Sequence, residues 1–177
     1  MRRFSKGGQI WVETVIYTLI GIAIIGIVLS IAKPKIDAKK DEAIIDQSIE
    51  ALGNIGNKVY DVVGSASGSR RIAEVKVGKG EFKIDMENDK LIWIIDSSYE
   101  YSQQDVPIMV GKISVTTKQG GDPYQVILEM DYNFDLQYEE TNTGTKSFLT
   151  APVPYDLMIE NDGLNNDGNI VVMFRGG

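Results

Sequence analysis

Residues 6–33 read KGGQIWVETVIYTLIGIAIIGIVLSIAK. The stretch from Ile10 to Ala32 is apolar apart from Glu13 and the hydroxyls of Thr14, Tyr17, Thr18 and Ser30. At about 1.5 Å rise per residue it spans roughly 35 Å as a helix, enough to cross a hydrocarbon core of about 30 Å. Glu13 is the one charge between Lys6 and Lys33. An ionised carboxylate at a bilayer centre costs about 2.5–3.5 kcal/mol on insertion scales, so it requires a function or a partner. A secretory signal fits poorly. Its apolar core runs about 7–15 residues and ends at a small-x-small cleavage site. Here the core is longer, and Lys33-Pro34-Lys35 follows it. A plain single-pass anchor and a segment cut at its own N-terminal edge remain.

Composition narrows the chemistry. The 177 residues contain no Cys and no His. His-based general bases, Ser-His-Asp triads and the commonest zinc ligand are therefore excluded. So are thiol nucleophiles and disulfides. Net charge is −7, from 18 basic and 25 acidic residues. Removing residues 1–8 takes Arg2, Arg3 and Lys6 away, which leaves 15 basic residues and a net of −10. That surface disfavours nonspecific nucleic acid and anionic lipid, and no specific nucleic-acid partner is expected. No cofactor, metal or catalytic group is expected, and the chain reads as a non-enzyme.

Residues 1–8, Met-Arg-Arg-Phe-Ser-Lys-Gly-Gly, are basic and end in two glycines. The glycines leave the backbone unhindered and extended for a protease cleft, and the basic residues favour the cytoplasmic face. A cut between Gly8 and Gln9 gives Gln9 a free ammonium and makes Glu13 the fifth residue. Residues one and five share a helix face one turn apart. The Glu13 carboxylate then neutralises its own terminus or that of a neighbour, near the positive end of the helix dipole. A cut after Gly7 would make Glu13 sixth, so the Gly8–Gln9 bond is the expected one. Lys33, Lys35, Lys39 and Lys40 rival the basic residues before the span, so charge alone barely orients it. The processing motif favours the N-terminus inside.

Gly8-Gln9-Ile10-Trp11-Val12-Glu13, followed by an uninterrupted apolar run, resembles the class III signal of archaeal type IV pilin-like proteins, which include adhesive pilins and archaellins. The resemblance covers about the first 50 residues. It implies that a prepilin-type membrane peptidase cuts at Gly8 and Gln9. It also implies that Glu13 forms the assembly charge pair, and that identical or related subunits bundle through the helix. The expected localisation is the cell membrane as precursor, and an extracellular filament at the cell surface when mature. The alternative is a single-pass, membrane-anchored extracytoplasmic binding module that never polymerises.

Beyond Pro34, which is expected to kink the helix, Ile45, Ile49, Leu52, Val59 and Val63 form an amphipathic stripe with a core-packing role. Gly64-Ser-Ala-Ser-Gly-Ser69 ends the helix. Residues 81–86, 91–95, 108–117, 124–136, 155–160 and 170–174 read as strands. Residues 119–123, 141–144 and 161–169 read as turns between them. The expected fold class is α+β: a long N-terminal hydrophobic α-helix followed by an antiparallel β-sandwich-like head. The divisions are a leader at 1–8, a transmembrane or filament-core helix at 9–33, an amphipathic continuation at 34–64 and a β-rich head at 65–177. Asn161–Asn169 is rich in oxygen ligands but out of register for a calcium loop, with Gly163 where a first ligand belongs. It reads as an Asx/Gly turn. Asp131, Asp135, Glu139 and Glu140 read as solvated strand acids, not an acid–base pair.

Overall fold

A computed structural model describes residues 6–119 and 123–176, with side chains from Trp11 onward. The leader's first five residues and the turn residues 120–122 lie outside the described ones. The chain divides into two compact units, Met1–Lys39 and Lys40–Gly177.

The first unit is helical from Lys6. The helix α1 continues into the second unit and ends at Val63, with Pro34 inside it. In the second unit, Ile45, Ser48, Leu52, Ile55, Val59 and Val62 are buried. These positions alternate three- and four-residue steps, as a helix with one core-facing stripe requires. Ser48 joins the stripe without leaving a hydroxyl unpaired, because its Oγ donates to the Ile44 carbonyl at 2.9 Å. Ile49 and Val63, expected in the stripe, pack at its margin, and Ile55 and Val62 take buried places.

Among the described residues ten strands follow: β1 (Arg70–Val75), β2 (Glu81–Asp85), β3 (Lys90–Ser97), β4 (Ile108–Val110), β5 (Ile113–Lys118), β6 (Tyr124–Asp131), β7 (Asp135–Tyr138), β8 (Thr145–Leu149), β9 (Tyr155–Leu164) and β10 (Ile170–Gly176). One sheet has the order β1-β9-β10-β7, the other β4-β5-β6-β3-β2-β8. Pairing is antiparallel throughout, apart from β7 with β10, which run parallel. The inward faces of both sheets and the α1 stripe share one core, so the head is a β-sandwich-like unit of an α+β fold.

The core centres on a cross-strand aromatic row. Phe82 lies opposite both Trp93 and Phe148, with ring centroids 5.5 and 5.7 Å away. Such pairs contribute about 0.5–1.5 kcal/mol beyond the area they bury. Two expected strands prove to be two each. Residues 108–117 fold back at Gly111-Lys112, where Gly111 at φ +65° begins a two-residue hairpin turn. Residues 124–136 break at Tyr132–Phe134, where the chain crosses from one sheet to the other. Asp89 pins that corner. Its carbonyl accepts the Tyr132 N–H at 3.0 Å, and its Oδ1 accepts the Leu136 N–H at 2.8 Å.

Candidate functional site

The residues singled out for processing and assembly lie on the first unit's helix. Gly8 and Gln9 are helical, and Glu13 stands exposed one turn beyond Gln9. The expected extended backbone at Gly7–Gly8 is instead a helical first turn. A protease that reads extended substrate must unwind this turn. Two glycines make that easy, since glycine gains more backbone freedom on leaving a helix than any other residue.

Around Glu13 the helix is apolar on every side. Large apolar side chains from Trp11 to Ile31 are 42–75% exposed. A helix hydrophobic all round belongs inside a membrane or a bundle of like helices. The helix is long and apolar enough to cross a membrane. Its hydroxyls do not break that character. Thr18 Oγ1 donates to the Thr14 carbonyl at 2.9 Å, and Ser30 Oγ to the Ile27 carbonyl at 2.7 Å, so both are satisfied within the helix.

The second unit holds its own helical segment at both ends. At one end Asp41 is buried. It pairs with Lys79, and its Oδ2 accepts both the N–H and the hydroxyl of Ser98 at 2.7 Å. Lys79 is fixed in turn, since its carbonyl accepts the Trp93 indole N–H at 3.3 Å. At the other end, Asn161 Nδ2 donates to the carbonyls of Val62 and Ser65 at 3.0 and 3.1 Å. Those acceptors belong to the helix terminus and the residues just past it, where carbonyls lack intrahelical partners.

Burial pushes the Asp41 carboxyl up, but the hydrogen bonds from Lys79 and Ser98 outweigh it and hold the group below the usual carboxylate range. A lowered folded pKa means stability that is present above the unfolded value of about 4 and is lost as pH falls through the folded one. Asp41→Ala should therefore destabilise the full chain in detergent by about 2 kcal/mol at pH 7, a value reduced for the partly exposed Lys79. Urea titrations followed by tryptophan emission measure the difference. It should shrink as pH falls below 4, and a difference independent of pH would refute the ion-pair account.

The other sequence candidates are dispersed or spent on structure. Asn165 Oδ1 accepts the N–H groups of Asp167 and Asn169 at 2.9 Å, while its Nδ2 donates to Asp135. The expected Asx/Gly turn is thus a closed network. β9 itself runs on to Leu164, beyond the expected end of that strand. Among the described residues no three acidic side chains converge as a metal site would need. Asp131 pairs with Lys90 at 3.1 Å, whereas Glu139 and Glu140 form a tight turn at φ +47° and +67°. Sequence reading missed the Asp41–Lys79–Ser98 lock, because its parts lie 38 and 57 residues apart.

No family model, curated protein or solved structure matches this chain.

Proposed function

We propose that this chain is a structural subunit of a type IV pilin-like surface filament of the archaeal kind. It would be cut before Gln9 and assembled through its N-terminal helix. The observation that carries the reading is Glu13, one turn from Gln9 and the one charge in the helical stretch 10–32, whose large apolar side chains are exposed on all sides. A plain anchor gains nothing from that charge, which only raises the cost of insertion. A subunit with a new ammonium at Gln9 does, because each charge satisfies the other where water is excluded. The precursor would wait in the membrane. The mature helices would bundle, with the acidic heads outward and identical or related chains as partners.

The test is location. Antibody against the head should find the mature chain in filaments sheared from the cell surface, as well as in the membrane fraction. A chain confined to the membrane fraction would favour the anchored binding module.

A further inference from the structure

We infer that the heads of successive copies join edge to edge, the β4 edge of one copy adding as a strand to the β8 edge of the next. The inference rests on the proposal that copies of this chain assemble, and adds a contact outside the helix bundle.

Three observations carry it. First, both edges of the six-stranded sheet expose apolar side chains. Val106, Ile108 and Met109 at the β4 edge are 42%, 37% and 66% exposed, and Leu149 and Val153 at or just beyond β8 are 61% and 69%. Of the devices by which natural sheets blunt their edges, β4 has its short length and the preceding Pro107 but no charge. The one charge on β8, Lys146, is turned onto the Tyr138 ring, 4.7 Å from its centroid.

Second, the directions match. Every neighbouring pair in this sheet is antiparallel, and the sheet has six strands. Its two edge strands therefore run in opposite directions. A copy displaced without inversion sets β8 beside β4 antiparallel and continues the alternation. The contact is head-to-tail and leaves a free edge at each end, so it propagates as an open chain instead of closing as a two-fold dimer. The side-chain register agrees. Met109 and Leu149 both lie on the outward face of the sheet, in rows with Ser114 and Glu81.

Third, β8 borders a groove of about 340 Å³ whose lining includes Tyr138, Phe148 and Tyr155 beside Glu139, Lys146 and Asp156. Ile108 shares the inward face with Val115, the same face that carries Phe148 on β8. An incoming β4 strand would turn Ile108 toward the groove. Edge pairing of this kind takes its affinity from main-chain hydrogen bonds and its selectivity from such pockets.

The chain contains no cysteine, so a clean cross-linking test is available. The Met109→Cys/Leu149→Cys double variant of the full chain, expressed in its native cell, is treated with a short bis-maleimide. Within one copy the two positions are separated by five strand spacings, roughly 24 Å, too far for the reagent. Head-to-tail pairing predicts a ladder of covalent oligomers from the double variant and only monomer from either single variant. Adding Ile108→Glu should remove most of the ladder. Val106→Cys/Val153→Cys, also exposed, gives a second pair should the first fail to fold. A dimer from either single variant would mean that like edges meet, and would overturn the inference. Absence of a ladder from both pairs would also overturn it. Sheared filaments without a ladder would leave the filament proposal standing, while a ladder confined to the membrane fraction would count against that proposal alone.

Discussion

Glu13→Ala is expected to leave the chain abundant in the membrane fraction and nearly absent from sheared filaments. The substitution removes one partner of a charge pair that the bundled helices would bury. Stranding the other charge commonly costs about 3–5 kcal/mol, a factor of roughly one hundred to a few thousand in an association constant. Insertion of the precursor should be equal or better, since a charge has left the apolar segment. Glu13→Gln should fall between, because it keeps shape and hydrogen bonding but loses charge. The two fractions are measured from one culture. A variant at wild-type level in both would show that Glu13 has no assembly role, and the anchored module would then be the better reading.

The largest effect on the fold is expected at Gly80. This residue has φ +81°, and a Cβ placed on it would lie 2.0 Å from the Ile94 carbonyl oxygen. The neighbour is backbone in the adjoining strand, so it cannot rotate away. Gly80 also follows Lys79, which holds Asp41 and accepts the Trp93 indole. Gly80→Ala should cost on the order of 4 kcal/mol, or prevent folding, through strain at a positive φ and displacement of the β2–β3 pair. Gly53→Ala is the contrasting case. Nothing lies within 4 Å of its Cβ, and it sits inside a helix. It should stabilise by roughly 0.5–1 kcal/mol. Denaturant titrations of both variants in detergent check the contrast, and equal effects would refute it.

The sequence made the helix legible because its apolar run needs no partner to be recognised. The stripe that follows was legible through Ile45, Leu52 and Val59, all fully buried, with two of its five positions at the margin. Ile49 and Val63 invite selection as strong hydrophobes, but the buried seam runs through Ser48, Ile55 and Val62. Strands β3, β6 and β10 show in the sequence because burial fixes their side chains. β1 opens with Arg70-Arg71 and β8 buries only Phe148, so neither carries a strong pattern. The Gly111-Lys112 turn had a signal, a glycine at the first position of a two-residue loop. The corner at Tyr132–Phe134 had none. Val126, Leu128, Met130, Phe134 and Leu136 keep the same parity across it, so alternation cannot report that the chain has changed sheets. The parallel β7–β10 pair and the Asp41–Lys79–Ser98 lock join residues distant in sequence, and local patterns do not encode such meetings. Gln9 and Glu13 are different: their spacing alone places them one turn apart, and the continuous helix keeps that relation.

The proposed subunit is cut before its apolar helix, and its new terminus meets Glu13. Intact-mass measurement of the protein purified from its native membrane and filaments tests it most directly. The expected result is a mature chain beginning at Gln9, lighter than the full chain by residues 1–8. A chain that still begins at Met1 in cells containing an active prepilin-type peptidase would contradict it.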